Sequence, residues 1–120
     1  MGVVNDLAAK MPLPRMVQVE QHFDRTAVTD IDGSVEKALA DEGVLDSVRP
    51  GMSIAVTAGS RGISNIAAIL RRVVRALEER GAKPFVIPAM GSHGGATAQG
   101  QSDVLTALGV TEEYLSCPIR

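Results

Sequence analysis

Two stretches decide how this chain reads: Ser53-Ile54-Ala55-Val56-Thr57-Ala58 running into Gly59-Ser60-Arg61-Gly62, and Pro84-Phe85-Val86-Ile87-Pro88-Ala89 running, through Met90, into Gly91-Ser92-His93-Gly94. In each, an apolar run of strand length meets a glycine-rich turn and then a helical pattern. The turns lie 32 residues apart, the length of one β-α-β unit, which returns the chain parallel to itself. If the two strands are neighbours, both turns sit on one edge of the sheet, and Arg61 and His93 can face one ligand. A fixed cation beside a titratable imidazole points to an anionic substrate handled with proton transfer.

Working outward, Ile63, Ile66, Ala67, Leu70, Val73, Val74 and Leu77 recur with a 3.6-residue period and predict a helix over 62–80, stopped by Gly81. Arg71, Arg72, Arg75, Glu78 and Glu79 fall off that stripe and read as a solvated face, with Glu78 and Glu79 as near partners for Arg75. Upstream, a helix is expected over 33–43 with Val35, Ala38 and Leu39 inward and either Asp32 or Ser34 as N-cap. Still earlier, Met16, Val17, Val19 and Phe23 alternate with Gln18, Glu20 and Gln21, which predicts a strand over 16–23 and leaves His22 on its open face. Nothing near His22 supplies a metal partner or an orienting carboxylate, so it reads as a solvent-facing histidine.

Downstream, Gln101, Val104, Leu105 and Leu108 share one face of a helix over 97–108, ended by Gly109. A turn of helix follows at 111–115, and Cys117-Pro118-Ile119 reads as the approach to a further strand. The expected fold is α/β, a small three-layer unit with a largely parallel sheet and flanking helices. Strand order stays open. Residues 1–15 form an N-terminal arm and 16–120 the domain, and the unfinished β-α series leads us to expect a longer polypeptide.

Composition narrows the function classes. The chain has 120 residues, a formal net charge of −2, 45% hydrophobic content and only Phe23, Phe85 and Tyr114 as aromatics. There is no basic excess and no set of stacking platforms, so nucleic acid is not an expected partner. Cys117 is the single cysteine; it offers no internal disulfide or zinc cluster and suits a reducing compartment as an ordinary thiol. No segment approaches the roughly 18 consecutive apolar residues of a membrane span. A cytoplasmic protein without a membrane partner is the expectation.

The turns carry the chemistry. A strand, a glycine-rich turn and a helix start together expose backbone N–H groups at the positive end of a helix dipole, a setting that favours phosphate or carboxylate. Ser60, Ser64 and Asn65 add short hydrogen-bonding side chains, and Arg61 offers a bidentate fork for a planar carboxylate. An equally simple reading makes the first turn a tight connection whose arginine caps a carbonyl or points to solvent. In the second turn His93 lies among glycines, beyond the carboxyl end of a strand, where open α/β sheets place their ligands. Thr97 suits either a helix cap or a ligand contact. Neither turn is a Walker A sequence or Gly-x-Gly-x-x-Gly, and two histidines without Cys, Asp or Glu at ligand spacing make no self-contained metal site.

The stretch Thr57-Ala58-Gly59-Ser60-Arg61-Gly62-Ile63-Ser64-Asn65-Ile66, and above all Pro88-Ala89-Met90-Gly91-Ser92-His93-Gly94-Gly95-Ala96-Thr97-Ala98-Gln99-Gly100-Gln101, resembles the N-terminal domain of the lactate racemase family, the nickel-pincer-nucleotide-dependent racemases and epimerases of 2-hydroxy acids. The resemblance runs from about Val17 to the end of the chain. It implies that Arg61 holds the substrate carboxylate and that His93 is one of two acid/base histidines flanking the α-carbon. There the cofactor abstracts hydride from that carbon while a histidine deprotonates the hydroxyl. Ser60, Ser64 and Thr97 would contact cofactor or substrate.

Two positions depart from the racemases proper. Ala58 stands where they have an aspartate, and Gly94 where an arginine commonly follows the histidine, which points to a divergent branch with another substrate. The family's cofactor-anchoring lysine, nickel-binding histidine and second acid/base histidine fall beyond this chain. The implied picture is the N-terminal part of an isomerase, inactive alone and holding no cofactor alone, that works with a C-terminal domain on a small carboxylate. The exposed edge or face left by that missing domain makes self-association an expectation. The alternative is a stand-alone, non-catalytic α/β anion-binding or interaction module.

Overall fold

The two apolar runs form β1 (Ser53–Ala58) and β2 (Lys83–Pro88), paired in parallel in the register Ser53↔Lys83 to Ala58↔Pro88. The strands occupy the spans read from the sequence because short, continuous apolar runs bounded by turns have few other places to go. In the computed structural model every residue is described except Met1, Leu13, Pro14, Glu42 and Arg61, together with the side chain of Val4. Leu13 and Pro14 of the lead-in, and the candidate carboxylate ligand Arg61, therefore lie outside the described residues. The remaining elements are α1 (Val3–Ala8), α2 (Ile31–Ala40), α3 (Ile66–Glu79), a 3₁₀ turn (His93–Ala96), α4 (Ala98–Ala107) and α5 (Glu112–Leu115). The fold is mixed α/β.

β2 carries two prolines, and the register explains how. In a parallel strand successive N–H groups point to opposite edges. Lys83 N–H donates to the Met52 carbonyl at 2.7 Å and Ala89 N–H to the Ala58 carbonyl at 2.8 Å, so odd-numbered residues face β1. Pro84 and Pro88 fall on the even, outward side, where a missing N–H breaks no bond to β1. Between them Val86 N–H donates to the Pro118 carbonyl at 2.8 Å, and Arg120 N–H donates to the Val86 carbonyl at 2.9 Å. Ile119 thus makes a parallel bridge with Val86, in keeping with the strand approach read at 117–119.

The core is the face of this sheet that carries Val56, Ala58 and Val86, covered by Ile66, Leu70 and Val74 of α3, Leu105 of α4, Val110, Leu115 of α5 and Cys117. α3 begins four residues later than its periodicity suggests. Gly62 (φ +76°) and Asn65 (φ +59°) are left-handed, a conformation that cannot propagate a right-handed helix, and Ile63 is consequently exposed instead of inward. At the other end Gly81 N–H donates to the Glu78 carbonyl at 2.8 Å and stops the helix where expected. α2 starts two residues earlier than read: Asp30, rather than Asp32 or Ser34, is its N-cap, accepting from Gly33 N–H at 2.9 Å.

The arginines of α3 are not simply solvated. Arg72, with 14% of its side chain exposed, reaches Glu79 at 3.3 Å and crosses to Glu36 of α2 at 3.4 Å. The guanidinium of Arg71 lies 4.8 Å from the ring centre of Tyr114 in α5, and that of Arg120 lies 4.5 Å from the ring centre of Phe85, both within cation–π range. Arg72 and Arg71 thus tie α3 to α2 and to α5, and Arg120 ties the C-terminal segment to β2, contacts that helix spacing alone does not reveal.

The expected strand over 16–23 is absent. The segment has no regular structure, Val17 and Val19 are 78% exposed and Phe23 70%. Alternation marks a strand only where a neighbour takes the ladder bonds, and among the described residues the sheet has two strands. His22 is exposed as expected, although Glu20 lies 3.4 Å away. The open N-terminal third also accounts for a radius of gyration of 21.1 Å, against about 14 Å for a compact chain of this length.

Cys117 is buried, and burial pushes its thiol up from the ordinary value, with Glu78 and Glu112 adding and a backbone hydrogen bond at Val86 opposing. A raised thiol favours the fold below the unfolded value, and that contribution is lost as pH rises through the raised one. Iodoacetamide at about pH 8 should therefore label Cys117 slowly in buffer and quickly in urea. Equal rates in the two conditions would show that the thiol is not sequestered.

Candidate functional site

Both glycine turns leave the carboxyl ends of adjacent strands, and the bond from Ala89 N–H to the Ala58 carbonyl carries the ladder one step past them. Ser60 and His93 are both half-buried, and Ser60 Oγ is hydrogen-bonded to His93 Nδ1. The sequence put both turns on one sheet edge on the condition that the strands are neighbours; the parallel pairing of β1 with β2 meets that condition, and the turns come into direct side-chain contact.

The second turn is held from three sides. Met90 is buried beneath it, and His93 N–H donates to the Met90 carbonyl at 3.3 Å. Gly94, Gly95 and Ala96 are all left-handed, which turns the chain sharply into α4. Gln101 Nε2 donates to the Gly91 carbonyl at 2.7 Å. A Cβ on Gly94 would overlap the Gly100 carbonyl, and one on Gly100 would overlap the Gly94 carbonyl. The two glycines exist as a pair so that the backbones can touch.

The candidate residues are distributed as follows. Thr97 is the N-cap of α4: its Oγ1 accepts from Gly100 N–H at 3.1 Å and donates to the Gly94 carbonyl at 3.1 Å. Ser64 and Asn65 line a cleft of about 580 Å³ whose walls include Val28, Ile31, Val35 and Ile69, and neither Ser60 nor His93 borders it. The structure thus brings Ser60 to His93, gives Thr97 a capping task, and sets Ser64 on another wall of the molecule. The grip of Gln101 and the role of Gly100 escaped sequence reading, although a glycine in the first turn of a helix costs about 1 kcal/mol and signals a local reason for its presence.

Among the described residues no three His, Cys, Asp or Glu side chains come together as a metal-binding group. No helix of the described residues is long and apolar enough to cross a membrane.

Comparisons with protein-family models, with curated proteins and with solved structures return no match. The functional reading therefore stands on the resemblance of the two turns and on the contact between Ser60 and His93.

Proposed function

We propose that this chain is the N-terminal portion of a nickel-pincer-nucleotide-dependent racemase or epimerase of a 2-hydroxy acid, with Arg61 binding the substrate carboxylate and His93 exchanging the hydroxyl proton. The observation that supports it is the hydrogen bond between Ser60 and His93, since an imidazole used for proton transfer needs one nitrogen held while the other meets the substrate. Among the described residues no group of donors for nickel comes together, and the proposal leaves the metal's ligands to the C-terminal domain. What the chain contributes is a cation for the carboxylate, an acid/base group and the turn that positions it; alone it is inactive and holds no cofactor.

The same reading extends to architecture. Ala55 and Thr57 are exposed on the sheet face opposite the core, and Phe85 is half-buried there beneath Arg120. A third layer, supplied by a C-terminal domain, completes a three-layer α/β unit by covering that face. Without it the chain self-associates, and sedimentation velocity at high concentration should show more than a monomer. The setting proposed is the cytoplasm.

The experiment is an enantiomer-interconversion assay. The complete reading frame, loaded with the cofactor, is offered a panel of 2-hydroxy acids and the products are separated on a chiral column. Conversion of one enantiomer into the other is expected for at least one member of the panel. If no 2-hydroxy acid is turned over, the catalytic reading fails. A stand-alone anion-binding module, the second reading, is favoured by the strand-turn-helix setting of both loops; it would bind small carboxylates or phosphate through this chain without turning any over.

A further inference from the structure

The contact between the two turns assigns Ser60 a role distinct from touching a cofactor. We propose that Ser60 is the positioning residue for His93: its hydroxyl oxygen accepts a hydrogen bond from Nδ1–H, which holds the imidazole in the tautomer whose Nε2 is basic. The inference rests on the reading of His93 as the acid/base group.

Backbone geometry supports it. Ser60 stands two residues beyond β1 and His93 five beyond β2, with the strands kept in register up to Ala89. His93 is fixed at its own N–H by Met90, and the turn that follows is locked by the contact of Gly94 with Gly100. Two side chains on such fixed backbones meet with little further loss of freedom.

A substrate O–H bond breaks as the Nε2–H bond forms, and the reverse step returns the proton. Nδ1–H is a donor in both the neutral and the cationic ring, so Ser60 accepts the same bond throughout and the ring keeps its orientation. A hydroxyl does this without a formal charge. A carboxylate in the same place would hold the imidazolium and resist giving the proton back. The opposite polarity, with Ser60 donating to Nδ1, would make the serine a candidate nucleophile instead.

The test uses the 120-residue chain with ¹⁵N-labelled histidine at a pH where both imidazoles are neutral. Long-range ¹H–¹⁵N spectra report each tautomer, and the exposed His22 serves as an internal control. The Nδ1–H form should dominate at His93. Ser60→Ala should shift the tautomer ratio toward Nε2–H by about tenfold, the equivalent of one ordinary hydrogen bond, while Ser60→Thr, which keeps the hydroxyl, should preserve it. Backbone amide spectra establish that each variant is folded.

The proposal is overturned if His93 is mainly Nε2–H, if folded Ser60→Ala leaves the ratio unchanged, or if a fluorophosphonate labels Ser60. None of these readings depends on turnover. A failed racemase assay and a failed positioning role are therefore separate results.

Discussion

Under the proposed racemase function, replacing His93 by alanine in the cofactor-loaded protein is expected to lower kcat/KM for a 2-hydroxy acid by about 10²–10⁴-fold, the range for losing a general acid/base group. The fall should be mainly in kcat, because the proposal puts the imidazole on the reacting hydroxyl and assigns the carboxylate to Arg61. Stability should change little. His93 is a half-buried turn residue outside the hydrophobic core, and the backbone bonds around it, from Met90 to His93 and from Gln101 to Gly91, do not need its ring. An activity within tenfold of the parent, in a variant whose melting temperature is unchanged, would remove His93 from the chemistry.

Gly94→Ala should do its damage differently. At φ +61° an alanine costs about 1–2 kcal/mol, and its Cβ would run into the Gly100 carbonyl and the Gln101 amide. Because the obstacle is backbone and not the flexible end of a side chain, relief requires the turn to move away from α4, a further cost of about 1–3 kcal/mol. The sum, about 2–5 kcal/mol, is a large part of the 5–15 kcal/mol that typically holds a domain together. Any population that stays folded should have lost the contact between Ser60 and His93, since the turn that aims the imidazole is the part displaced. Denaturant unfolding measures the first effect and the histidine ¹⁵N spectrum the second. A Gly94→Ala chain with parental stability and an intact His93 signal would show that the turn is looser than its backbone contact implies.

Much of the frame was legible before any coordinates. β1 and β2 fell on their apolar runs, and Gly81 ends α3 where the pattern said it would. These features depend on neighbours in sequence: strand-length apolar runs, a 3.6-residue period and a glycine free to take positive φ. The 16–23 segment shows the limit of such reading, since an alternating pattern describes which side chains could share a face and supplies no partner for the backbone. Ile63 shows another, because its periodicity was sound while left-handed residues on either side of it delayed the helix past it.

What the sequence by itself determined is two strand-length apolar runs one β-α-β unit apart, each ending in a glycine turn, with a basic residue in one and an imidazole in the other; that the strands pair in parallel as neighbours came from the fold. Only the tertiary structure decided that Ser60 is the residue that meets His93, that Gly94 and Gly100 are a matched pair, that Thr97 is occupied as a cap, and that Arg72 bridges to Glu36 across two helices. The reason is physical. Strand and helix periodicities fix directions within an element, whereas these contacts depend on the register between elements and on distances of closest approach, which are set when the core around Val86 and Leu105 packs.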